Sequence, residues 1–219
     1  LAHNSAYYPM VSRCVRETNE QCPYTKLYTF IDSPDVSRIY EKLNHKEHRR
    51  LITLLQYTVY GTPALYCGSE FSNIRTREGE AEDAAPALLR LSDHKEAYMQ
   101  DAVTHLHCLL CRANQQFPEL FFGHYQELMV SEKQYLFARV LRKKALLVAL
   151  NCGESAVSIE VPYLKHVKKA VDVLEADIRW EESPEKSLDL SACKELPVNG
   201  QRLLLELKAN SASLIWVTA

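Results

Sequence analysis

Asp35 and Glu70 are the two side chains of this sequence best placed to do chemistry. Each carboxylate follows a short apolar run that stops abruptly: Leu27, Tyr28, Phe30 and Ile31 before Asp35, and Ala64, Leu65, Tyr66 and Cys67 before Glu70. A carboxylate held just beyond a strand end offers a substrate a fixed negative charge, which favours developing positive charge. Asp32 and Asp35 invite a reading as a local acid pair. They share one loop, however, and nothing sets them face to face. Asp32 reads instead as a turn residue that accepts backbone hydrogen bonds. His105, His107, Cys108 and Cys111 carry metal-ligand chemistry, but Leu106, Leu109 and Leu110 between them mark a helix. Zinc sites usually set such ligands in turns and need a second ligand pair, which the sequence lacks. The expectation is buried helix residues, no metal and no other cofactor.

The elements that position the two carboxylates can be read around them. Pro34 pushes Ser33 out of helical geometry, so the first strand ends there. Leu51, Ile52, Leu54, Leu55 and Val59 recur at roughly helical spacing, led in by a charged stretch from His45 to Arg50 that reads as a solvated helix start. Gly61, Thr62 and Pro63 break that helix before the second apolar run. A helix between two short apolar strands is the pattern of a parallel βαβ unit, whose strand ends face the substrate. A further helix is expected at Tyr7–Glu20, with Pro9 in its first turn. Asn73–Pro86 is polar and reads as a long loop shaping the site. Ser92 and Asp93 then suggest the cap of a long helix running to about Ala113, and Pro118 its end.

From about Phe121 the pattern changes to short strand-like runs: Tyr125–Val130, Gln134–Leu141, Ala145–Asn151, Ala156–Val161, Val167–Leu174, Arg202–Leu207 and Ser213–Val217. Leu141–Lys144 and Asn199–Gly200 read as turns. Strands at this spacing without helices suggest an antiparallel sandwich. The fold class expected is therefore α/β followed by all-β, with residues 1–118 forming the first part and 119–219 the second.

A net charge of −2 offers no electrostatic case for nucleic acid or an anionic membrane, and no apolar run is long enough to cross a bilayer. Seven scattered cysteines, odd in number, argue for a reducing compartment or for incidental buried thiols rather than a disulfide framework, and a cytoplasmic location is expected. The opening LAHNSAYYPM has neither initiator Met nor leader and reads as a piece of something longer. Trp216, between Ile215 and Val217, reads as packing. Trp180, beside Arg179 and Glu181, is the candidate for an exposed platform.

Four segments carry a family resemblance. FIDSPDVSR resembles the strand-end motif of the alpha-amylase family of glycoside hydrolases, in which an Asn/Ser-His-Asp is followed two residues later by Arg. YGTPALYCGSE resembles the last barrel strand of that family, Pro-Gly-Thr-Pro running to Tyr-Tyr-Gly-Asp-Glu. AYYPM resembles the Asn-Tyr-Pro-Leu opening the preceding helix, and ALLVALNCGES the first strands of the C-terminal β-sandwich. The resemblance implies the C-terminal part of a TIM-type (β/α)8 barrel followed by that sandwich. It implies that Asp35 is the carboxylate that stabilises an oxocarbenium-like transition state. Arg38, the motif's Arg, and Glu70, the last strand's Glu, become the expected substrate-site residues beside it. The substrate implied is an alpha-glucan or maltooligosaccharide.

Departures accompany the match. Pro34 stands at the motif's sugar-contacting His, Tyr60 at the first Pro of the last-strand motif, and Ser69 at the Asp before Glu70. DAAPALL occupies the place of the basic, Trp-containing segment common after the last strand. A retaining glycosidase also needs a nucleophile and a general acid about 5 Å apart. The family carries them on earlier barrel strands, which would lie before Leu1. The chain alone is therefore expected to be inactive, its barrel completed by missing N-terminal sequence or a second copy. Two functions follow: a segment of an alpha-glucan glycosidase, or a non-catalytic amylase-like module for carbohydrate or protein binding.

Overall fold

The computed structural model describes residues 8–23, 25, 27–35, 38–43, 45–71, 91–161, 167–178, 186–199 and 202–218. Helix α1 (Tyr8–Gln21) leads to strand β1 (Tyr28–Thr29), a 3-10 turn at Ile39–Lys42, helix α2 (His48–Thr58) and strand β2 (Thr62–Pro63). β1 and β2 pair in parallel, with Tyr28 opposite Thr62 and Thr29 opposite Pro63. The expected βαβ unit is thus present, with its second strand earlier than the Ala64–Cys67 run. The reason is Gly61, whose φ of +138° lets the backbone turn directly into the pairing. Thr62 N donates to Leu27 O at 2.7 Å and Ala64 N to Thr29 O at 2.8 Å. Beyond Ala64 the chain leaves the pair and turns at Cys67–Glu70.

α2 is buried along its whole length from Leu51 to Thr58. The charged lead-in is solvated only in part. His48 is buried, and its Nε2 meets Asn210 Oδ1 at 2.9 Å. The expected loop at Asn73–Pro86 lies outside the described residues, as does Trp180.

The long helix expected to run to Ala113 is two helices, α3 (Leu91–Gln100) and α4 (Ala102–Gln116). Ser92 and Asp93 lie within α3. The cap is Asp101, whose extended backbone breaks the helix while its carboxylate accepts from Thr104 N at 2.9 Å. Pro118 starts a short helix, α5 (Pro118–Phe122), where its missing N–H costs nothing.

The remaining strands are β3 (His124–Val130), β4 (Gln134–Leu141), β5 (Lys144–Asn151), β6 (Val157–Val161), β7 (Lys169–Asp172), β8 (Val198–Asn199), β9 (Arg202–Leu207) and β10 (Ser211–Thr218). They form two antiparallel sheets, ordered β3-β4-β5-β10-β7 and β6-β9-β8. Arg142, with φ of 57°, makes the expected turn between β4 and β5. Helices followed by antiparallel strands match the expected order of elements.

Alternation in the strands explains the layering. In β4, β5 and β10, Tyr135, Phe137, Leu146, Val148, Leu150 and Leu214 join a cluster with Leu51, Leu54, Leu109 and Leu110 of the helices. Their neighbours Leu136, Ala138, Leu147, Ala149, Ile215 and Val217 join Ile159, Leu203, Leu205 and Leu207 of the three-stranded sheet. The larger sheet is therefore a middle layer, apolar on both faces, which is why ALLVAL reads as an unbroken apolar run. β9 is one-sided, and Arg202, Leu204 and Glu206 face solvent.

Candidate functional site

Because β1 and β2 run parallel, the loops that follow them emerge at the same end of the pair. Asp32, Pro34 and Asp35 lie on the first loop, and Ser69 and Glu70 on the second. Asp35 is exposed, and its backbone N–H donates to Ser33 Oγ at 3.3 Å. Pro34 beside it is exposed as well.

Asp32 is the buried carboxylate of the pair of loops, at 3% exposure. It accepts the Ile39 backbone N–H through Oδ1 at 2.7 Å and the Ser69 hydroxyl through Oδ2 at 2.5 Å. The Arg38 guanidinium stands 3.6 Å from the same Oδ2. Burying a carboxylate is costly unless it is paired and hydrogen-bonded, and here both oxygens have partners. The expected turn role is met in the bond to Ile39, and the two further partners tie the loop to the rest of the site.

Arg38 is the other half of this arrangement. Its Nη1 donates to Ser69 Oγ at 3.0 Å and its Nη2 to Cys67 O at 2.8 Å. Its guanidinium carbon lies 4.3 Å from the centre of the Tyr66 ring. One cation therefore binds the loop after β1 to the turn after β2, using the planar fork that suits Arg and not Lys.

Glu70 closes its own turn, its Oε2 accepting from Gly68 N at 2.7 Å. The turn is supported from beneath by the helices. Thr104 Oγ1 of α4 donates to Glu70 O at 2.7 Å, and Phe71 stacks on Tyr98 of α3 at 4.3 Å between ring centres. Deeper still, the Tyr57 hydroxyl meets His107 Nδ1 at 3.0 Å. Burial lowers the His107 pKa from 6.5 to about 4, against a smaller opposing pull from the Ser69 backbone and Asp101.

Of the residues singled out in the sequence, Asp35, Arg38 and Glu70 are thus carried by two adjoining loops. Asp32 and Ser69 complete the set. The sequence marks Asp32 as a turn residue and Ser69 as a departure from the motif, and their bond to one another is visible only in the structure. His105, His107, Cys108 and Cys111 all lie on α4. Among the described residues no group of three or more His, Cys, Asp or Glu side chains is arranged to hold a metal ion. No described helix is long and apolar enough to cross a membrane.

No protein-family profile and no curated protein matches the sequence. Solved structures do match. A cyclomaltodextrin glucanotransferase with a three-domain arrangement superposes with a TM-score of 0.74 at 24% identity, over 99% of this chain and 41% of its own. An Anoxybacillus alpha-amylase gives a TM-score of 0.70 at 17% identity, over 98% and 43%. A Nostoc punctiforme debranching enzyme gives 0.63 at 21%, over 97% and 38%. The chain therefore has the fold of part of these alpha-amylase-family enzymes, spanning about two-fifths of their length.

Proposed function

We propose that this chain is the C-terminal portion of an alpha-amylase-type retaining glycosidase that acts on alpha-glucans or maltooligosaccharides. Residues 1–118 are the end of its (β/α)8 barrel and residues 119–219 its C-terminal β-sandwich. The observation that carries this reading is the convergence of FIDSPDVSR and YGTPALYCGSE at one end of a parallel strand pair, with Arg38 joining them.

In this reading Asp35 supplies the negative charge that stabilises the oxocarbenium-like transition state. Arg38 and Glu70 belong to the same substrate site, Arg38 joining the two loops and Glu70 closing its own turn. The nucleophile and general acid come from barrel strands outside this chain, and the barrel itself is completed by that missing sequence or by a second copy. The exposed Tyr28, Phe30 and Leu65 around a two-stranded parallel sheet support such a completion, since parallel sheets are normally covered. Seven free cysteines fit a cytoplasmic protein.

One observation favours a second reading. Pro34 stands exposed where the motif has its sugar-binding His, so the protein could be a non-catalytic amylase-like module that binds carbohydrate or a protein partner. The two readings are separated by the mass of the natural gene product and its assay on a maltooligosaccharide. A product at least about twice the 25.1 kDa of this chain, active and inactivated by Asp35→Asn, supports the glycosidase. A product of 25.1 kDa, or an inactive larger one, supports the binding module.

A further inference from the structure

We infer that Asp32 is a positioning residue that sets the place of Asp35 by closing the loop that carries it. This rests on the reading of Asp35 as the transition-state carboxylate and adds the part that holds it.

The argument begins with the two ends of the loop. Asp32 lies before Asp35 and Ile39 after it, and the Asp32 Oδ1 to Ile39 N bond at 2.7 Å fastens one to the other. The fastening point is itself immobilised. Asp32 Oδ2 takes the Ser69 hydroxyl, and Arg38, one residue before Ile39, is gripped by Ser69 Oγ, Cys67 O and the Tyr66 ring. Both ends of the loop are therefore anchored to the turn after β2, at the same point. Asp32 and Ser69 are 3% and 2% exposed, so water does not compete for these bonds.

Asp35 sits between the anchored ends and is exposed. Its position is set by the closure of its loop, which leaves the carboxylate itself open to a substrate. Glu70 is carried by the turn to which the loop is fastened, so the same bonds set the spacing between the two loops. Removing Asp32 unfastens the loop's first end from Ile39 and from Ser69 while Arg38 still holds the other, and a displacement of about 1 Å at a reacting centre can cost on the order of a hundredfold in rate.

The test uses the natural gene product containing this chain, with Asp35→Asn, Asp32→Asn, Ser69→Ala and Ser69→Thr compared on a maltooligosaccharide. Asp35→Asn is expected to abolish turnover. Asp32→Asn is expected to lower kcat by about ten- to a hundredfold with KM within about threefold of the parent. Ser69→Ala should show a smaller fall in kcat, and Ser69→Thr, which keeps the hydroxyl, should restore it. A purely structural role would lower the fraction folded and leave the kcat of the folded enzyme unchanged. Retained turnover in Asp35→Asn, or an inactive parent, overturns the glycosidase reading. Loss in Asp35→Asn with unchanged kcat in both Asp32→Asn and Ser69→Ala overturns the positioning role alone. Where Asp32→Asn does not fold, Ser69→Ala decides. Hydrogen exchange at the Asp35 amide gives a readout independent of activity. Faster exchange by about tenfold in Ser69→Ala supports the closure, and unchanged exchange overturns it.

Discussion

The Ser69 hydroxyl donates to the Asp32 carboxylate at 2.5 Å, bridging 37 positions of sequence and joining the loops after β1 and β2. Both groups are buried, so the bond is made in a setting where an unmade partner is expensive. Ser69→Ala leaves Asp32 one donor short and should destabilise the protein by about 1–3 kcal/mol. Asp32→Ala leaves the Arg38 guanidinium without its carboxylate and should cost more, about 3–5 kcal/mol. Urea unfolding of the two variants checks the order.

His107 makes stability depend on acid. Its folded pKa of about 4 lies below the 6.5 of an unfolded chain, because burial disfavours the charged ring. The unfolded state therefore binds the proton more readily between those values. The His107 contribution is complete above about pH 6.5 and is lost as pH falls toward about 4, on the order of 3 kcal/mol in all. Unfolding free energy measured from pH 7 to pH 4 should show this fall, and His107→Gln should flatten it.

Gly61 is required by close approach as well as by its φ of +138°. A Cβ at that position would lie 2.6 Å from Leu27 O, the acceptor of the first β1–β2 hydrogen bond, and 2.8 Å from the Thr29 methyl. Gly61→Ala must break the pairing or strain it. A loss of more than about 1 kcal/mol is expected, read as a lower midpoint in denaturant.

Much of this was legible beforehand, for reasons that differ by region. The parallel unit and most of the later strands were readable because their apolar residues repeat at simple periods and their turns carry marked chemistry, as at Leu141–Lys144. The break between α3 and α4 was not readable, because Asp101 caps a helix in the middle of a continuous helical pattern. His48 looked like part of a charged surface run, and only its partner Asn210, 162 residues away, explains its burial. Asp32 was legible as a turn residue. Its bonds to Ser69 and Arg38 were not, since they depend on two loops meeting in space.

Arg139 is fully buried on β4, and among the described residues only its Nη2 has a hydrogen-bond partner, the Leu120 carbonyl at 3.1 Å. Burial pulls its pKa down to about 10, with a smaller opposing effect of Tyr60. A buried charge without a counter-ion costs more than an apolar group of similar volume. Arg139→Met should therefore unfold at an equal or higher temperature than the parent. A clear drop in Tm would show that the guanidinium is worth more than its desolvation.

Strand order has a consequence for synthesis. β7 joins the five-stranded sheet only along β10, which lies between it and β5. On a ribosome β7 emerges some forty residues ahead of β10. The hairpins from β3 to β5 can form as they appear, while β7, which among the described residues meets the Lys194–Leu196 segment through the Val171–Glu195 bridge, joins the five-stranded sheet when β10 has been made. The middle layer, which supports the helices on one face and the smaller sheet on the other, is thus completed late. Chain growth through β10 is the step that completes the five-stranded sheet, whose apolar strands stay open to chaperones or to other nascent chains until then.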